Sequence, residues 1–113
     1  GGLVMLMEFE VTAGDIACGK RGDGERCPVA LAIRREVLPK LDGLKAVDML
    51  NIEKAYGQVE GWTHEEIDND LVCSAWYTWV HPAAIENFVY NFDRGLEVMP
   101  GKFQIDVINM KER

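Results

Sequence analysis

Chemistry-bearing residues are scarce: three cysteines (Cys18, Cys27, Cys73) and two histidines (His64, His81) in 113 residues. Cys27 is the most suggestive, because it directly precedes Pro28 and an apolar run, "CPVALAIRR", that reads as a helix. At a helix N-cap beside Arg26, a thiolate is favoured by the helix dipole and the neighbouring charge. A cysteine nucleophile also needs a base, and only His64 and His81 could serve, each through tertiary contacts. The competing reading is a small buried side chain under the helix, the commoner fate of cysteine. Val29, Ala30 and Leu31 follow at once, so we expect Cys27 to be buried and inert, with the nucleophile as the alternative.

Metal binding is not expected. The cysteines and histidines lack the paired C-x-x-C spacing of zinc sites, and His81 before Pro82 reads as the N-cap of a helix. No cofactor is implied. The loop ahead of Cys27, "GKRGDGER", has the ingredients of an anion site: glycines with free N–H groups, the bases Lys20, Arg21 and Arg26, and a helix start. It is not a phosphate loop of the G-x-x-x-x-G-K-[ST] kind, since no Lys-Ser or Lys-Thr pair follows. A solvated surface loop is the competing reading. The Arg21-Gly22-Asp23 tripeptide is too short a match to carry meaning.

Charge narrows the partners. The net charge is −7, and residues 46–101 hold Lys54 and Arg94 against ten acidic side chains. Nucleic-acid binding needs clustered Lys and Arg, so the balance argues against it. The odd cysteine count argues against a disulfide framework and for a reducing, cytoplasmic setting. The apolar start "GGLVMLM" is too short for a signal peptide or membrane span, and no later stretch approaches membrane length. The length suits a single domain, 1–113, able to bury a core without metal or disulfides.

The elements that must position these residues follow from periodicity. In "LMEFEVT", Met7, Phe9 and Val11 alternate with Leu6, Glu8 and Glu10, which predicts a strand with one buried face. "AGDIACGKRGDGE" reads as loop, with at most a short turn over Asp15–Cys18. Pro28 opens a helix that runs to about Leu38, where Pro39 stops it. Val29, Ala30, Ile33 and Val37 share one side of that helix, and Arg34, Arg35 and Glu36 the other. Residues 44–59 suit one bent strand or two short ones. "GWTHEEIDND" carries a capping-box pattern, Thr63 to Glu66, that predicts a helical turn.

"LVCSAWYTWV", 71–80, is the plainest strand, apolar on both faces and so either central or covered by a partner. Trp76 and Trp79 must point to opposite faces, so one core cannot hold both. Either tryptophan is therefore a candidate for an interface, where aromatics are enriched. Coverage within one chain and coverage by a second copy both remain open. "HPAAIENFVYNFDRG", 81–95, is a helix: Ile85, Phe88, Val89 and Phe92 form one stripe, Pro82 opens it and Gly95 closes it. A last strand, "KFQIDVINM", turns Phe103, Ile105 and Val107 inward. The order β-α-β-β-α-β predicts a two-layer α+β fold, two helices on one face of a mostly antiparallel sheet, with a ferredoxin-like arrangement as one form.

Four of these segments, "DIACG", "CPVALAIRR", "FVYNFDRGLEVMP" and "KFQIDV", together cover about half the chain. In them the sequence resembles small uncharacterised accessory proteins of bacteriophages and actinobacterial prophages, which carry a "DI…G…CPVALA(I)" run and a later aromatic–Asp–Gly run. The group has no agreed activity, so the resemblance implies an accessory role in the host cytoplasm and transfers no catalytic residue. Residues 39–80 match nothing in it. The expectation is a non-enzymatic protein that binds a host or phage protein through an acidic, aromatic-containing surface, as a homodimer. The alternative is a small enzyme or nucleotide- or phosphate-binding protein using Cys27 and the loop 19–26.

Overall fold

The computed structural model describes residues 4–41, 44–64 and 73–110. A strand β1 (Val4–Val11) leads to helices α1 (Ala13–Cys18) and α2 (Pro28–Glu36) and a 3₁₀ turn (Leu38–Lys40). Three strands follow, β2 (Ala46–Ile52), β3 (Tyr56–His64) and β4 (Cys73–Val80), then helix α3 (Ala83–Asp93) and strand β5 (Gly101–Asn109). The fold is α+β, with three helices and a five-stranded sheet ordered β1-β5-β4-β3-β2. Every neighbouring pair is antiparallel.

This differs from the β-α-β-β-α-β order in two places. Residues 44–59 divide between two strands because the chain reverses after Ile52, where the Glu53 N–H donates to the Tyr56 carbonyl at 2.8 Å. A ferredoxin-like sheet would also hold its first strand in the interior, whereas β1 lies at an edge. Here β2, β3 and β4 run on as a meander, and β5 fills the slot between β4 and β1.

Alternation decides which face is buried. Phe9 and Val11 of β1, Ile105 and Val107 of β5, and Ala75, Tyr77 and Trp79 of β4 are buried, as are Val59, Leu50 and Ile52. They form one core with Val29, Ala30 and Ile33 of α2 and Ile85, Phe88 and Val89 of α3, against which Phe92 packs half-buried. The stripes expected on both helices are thus buried stripes. Phe88 meets Phe103 edge-on with ring centroids 5.8 Å apart, and Phe103 lies 5.9 Å from its cross-strand partner Phe9. Such tilted and edge-on contacts suit the ring quadrupoles. Trp79 fits because Gly57 stands opposite it in the ladder; a Cβ there would overlap the indole ring.

The helix ends account for the remaining differences. α1 falls in a segment expected as loop, and a reciprocal cap creates it. The Asp15 N–H donates to Thr12 Oγ1 at 3.1 Å, and the Thr12 N–H donates to Asp15 Oδ2 at 2.9 Å. α2 ends at Glu36, two residues short of the expected Leu38, because the chain tightens into the 3₁₀ turn containing Pro39. At α3, Pro82 is the N-cap, one residue before the helical start. Its C-terminus closes as a Schellman motif: Gly95 has φ +81°, its N–H donates to Phe92, and the Leu96 N–H reaches back to Asn91. The helical turn expected at Thr63–Glu66 is not found at its start, since Thr63 and His64 belong to β3; Glu66 lies outside the described residues.

Arg35, expected on the solvent side of its helix, holds three elements together. Its guanidinium donates to both oxygens of the buried Asp15 carboxylate, at 2.7 and 2.9 Å, and to the Glu10 carbonyl at 2.9 Å. Glu36 joins the same clasp by accepting from Arg35 and from the Glu10 N–H. Burial pushes the Asp15 carboxyl up, but the hydrogen bonds from Arg35 and Thr12 outweigh it, and the net shift is downward.

Candidate functional site

Cys27 is the N-cap of α2 and is 4% exposed. Burial pushes its thiol up to about 11, against a partial offset from the N–H groups of Ala30 and Val29 and with Asp93 and Asp23 adding to the rise. At neutral pH almost none of it is thiolate, which is the opposite of what a nucleophile needs. His81 lies between β4 and α3 and is buried. It is not the N-cap of α3. Its Nε2 lies 3.1 Å from the Glu53 carbonyl oxygen, which can only accept, so Nε2 carries the proton. Among the described residues Nδ1 is then a buried acceptor with no partner. Burial pushes the His81 pKa down and keeps the ring neutral. Among the described residues no three His, Cys, Asp or Glu side chains converge as metal ligands would.

The glycine-rich loop spends its donors internally. The Gly22 N–H donates to Asp93 Oδ1, the Glu25 N–H to Asp23 Oδ1, and the N–H groups of Arg26 and Cys27 to the Asp23 carbonyl. Arg26 pairs with Asp23 at 3.4 Å. Lys20, Arg21 and Arg26 are all exposed. The hollow beside the loop, about 320 Å³, is lined by Asp23, Glu53 and Asp93 against Lys54. Lys54 itself sits 4.6 Å over the Tyr90 ring. A phosphate entering here would meet three carboxylates, and the loop's N–H groups already have two carboxylates and a carbonyl to bind.

The other face of the sheet is different in kind. Residues that alternate with the buried set point away from the helices: Val4 and Leu6 of β1, Trp76 and Val80 of β4, Tyr56 and Trp62 of β3. All six are exposed, Val80 at 76% and Trp76 at 43%, while Trp79 on the same strand is fully buried. The registers bring them together, with Val4 opposite Ile108, Thr78 opposite Ile108 in turn, and Tyr56 opposite Val80. Of the two tryptophans offered as interface residues, the structure assigns Trp79 to the core and leaves Trp76 on the open face.

Charge on this face is mostly negative. Among the described residues, Glu8, Glu10, Glu60 and Asp106 share it with the base Lys102. Glu10 stands opposite Lys102, and Glu8 accepts a 2.8 Å hydrogen bond from Gln104. Toward the other edge, Asp48, Glu60, Trp62 and Trp76 line a hollow of about 220 Å³. Carboxylates beside indole rings suit a Lys or Arg side chain, which gains charge pairing and a cation–π contact together. The sequence held the parts of this hollow, but not the register that places Glu60 opposite Trp76.

No helix among the described residues is long and apolar enough to cross a membrane. Compared with family models, curated proteins and solved structures, the chain matches none of them.

Proposed function

We propose that this chain is a small accessory protein of the phage type, non-enzymatic, that works by binding a basic surface of a host or phage protein. The observation that carries the reading is the hollow of Trp62 and Trp76 between Asp48 and Glu60, set in an exposed apolar sheet face with a surplus of carboxylates. Exposed apolar patches of this kind mark interaction sites, and the charge selects a cationic partner over an acidic one. The enzyme or phosphate-site alternative has less behind it, because Cys27 is protonated and the loop 19–26 is engaged with Asp23 and Asp93.

Affinity capture from a bacterial lysate tests this with wild type, Trp76→Glu and Glu60→Lys, and with Glu97→Lys as a charge control away from the sheet. A basic protein should be held by wild type and control, be released by raised salt, and be lost from both face variants. Equal capture by all four would overturn the reading.

A second copy is the other occupant the face suits, because Val4, Leu6, Trp76 and Val80 would pack against themselves about a two-fold axis. Sedimentation at micromolar concentration decides that point. A dimer dispersed by Trp76→Glu supports self-association, whereas a monomer leaves the face to the basic partner.

A further inference from the structure

β5 has a stretch of edge with no strand beside it. Its ladder with β4 comprises Tyr77↔Asn109 and Thr78↔Ile108 and stops there among the described residues, because β4 ends at Val80 and the chain turns through His81 and Pro82 into α3. On its other side β5 is paired with β1 without a break from Ile108 to Gly101. The Met110 N–H donates to the Trp76 carbonyl at 2.7 Å, which fixes the direction of the backbone groups. Alternate residues of a strand present N–H and C=O to the same side. Counting back from Met110, it is Lys102, Gln104 and Asp106 that aim theirs away from β1, into the gap. A groove of about 670 Å³ lies there, walled by Leu6, Val80, Pro82 and Ala84 and floored by β5.

We propose that this groove takes an extended segment of the partner protein as an added strand, paired with the backbone of Lys102, Gln104 and Asp106, with a Lys or Arg facing Asp106. This deepens the binding reading above. A row of unpaired N–H and C=O groups is matched by another strand and by little else, and strand addition is an established mode of peptide recognition. The four residue steps from Lys102 to Asp106 span about 13 Å of β strand, the length of a partner segment of about five residues. Side-chain charge sets the sequence preference. Lys102 has Glu10 opposite it and Glu8 is held by Gln104, while Asp106 stands opposite the apolar Leu6 and no cation pairs with it among the described residues.

Amide hydrogen exchange on the intact protein is the first test. Lys102, Gln104 and Asp106 should exchange at least about tenfold faster than Phe103 and Ile105, whose N–H groups face β1. Uniform protection from Lys102 to Asp106 would mean the edge is already covered, and would overturn the proposal. The second test adds a capped hexapeptide of alternating Lys and Val. The three amides should shift and become protected; the same peptide N-methylated at alternate residues should have no effect. Asp106→Asn should weaken binding on the order of threefold, the size of an exposed charge pair. No shift at millimolar peptide, indifference to N-methylation, or shifts confined to Trp62 and Trp76 would each overturn it. The last of these outcomes would leave the broader binding reading standing, and equal lysate capture by wild type, Trp76→Glu and Glu60→Lys with an intact edge pattern would do the reverse.

Discussion

Trp79 and Trp76 lie three residues apart on one strand and have opposite surroundings. Trp79 is enclosed by the core and has Gly57 opposite it; Trp76 stands on the open face beside Glu60 and Trp62. Strand parity alone separates them. The same alternation runs through β1 and β5, so the sheet is a partition with the fold on one side and an uncommitted, acidic and aromatic surface on the other. Residue type therefore says little about role here. Position in the ladder says nearly everything.

The largest effect should come from the buried side. Trp79→Ala should cost roughly 3–5 kcal/mol, as large-to-small changes of aromatic core residues do, and denaturant titration would measure it. Phe88→Ala on α3 should fall in the same range, since Phe88 is the ring that meets Phe103. Comparable losses from Trp76→Ala would erase the distinction between the faces.

Next come the polar exceptions within the fold. Cys27→Ser should cost about 1 kcal/mol or more by burying a hydroxyl where a thiol sat. In wild type, thiol labelling at neutral pH should reach the exposed Cys18 and spare Cys27 until the protein unfolds. Loss of binding in Cys27→Ser, or rapid labelling of Cys27, would restore the nucleophile reading.

Acid should find the buried polar groups in sequence. His81 has its pKa lowered by burial, so an unfolded chain takes up its proton first. Its share of stability is whole above about pH 6.5 and is lost as pH falls below that value. Replacing it in His81→Phe should flatten the slope in that range. Asp15, lowered by its clasp with Arg35 despite burial, keeps its share above about pH 4 and loses it below. Urea titrations across pH would resolve the two steps. The smallest expected effect is Trp76→Ala, within about 0.5 kcal/mol of wild type in stability, as for exposed substitutions generally.

What was legible in the sequence was periodic. The alternation of β1 and β5 and the stripes of α2 and α3 could be read because each depends on near neighbours alone. α1 could not, because its glycine and mixed charge look like loop and its stability rests on Thr12 and Asp15 closing a reciprocal cap. Arg35 looked solvated because its partners come from α1 and β1, distant in sequence. The candidate hollow falls between these cases. Its tryptophans were conspicuous, but Asp48 and Glu60 join them only through the β2–β3–β4 register, with an irregularity between Val47 and Met49 that no local pattern announces. The groove on β5 had one visible cue, Pro82, which cannot continue a ladder.

The pairing of the first strand with the last bears on how the chain is made. β2, β3 and β4 find their neighbours in succession as the polypeptide leaves the ribosome, whereas Val4 has Ile108 as its partner and β1 must wait until β5 has been made. Until then Phe9 and Val11 have no cross-strand neighbour, and a nascent chain stalled before Gly101 should present them to chaperones or proteases that ignore the finished protein. Contacts this far apart in the chain form late and slowly. The final, rate-setting event of folding should therefore be β5 sliding into place between β4 and β1, which brings β1 into the sheet.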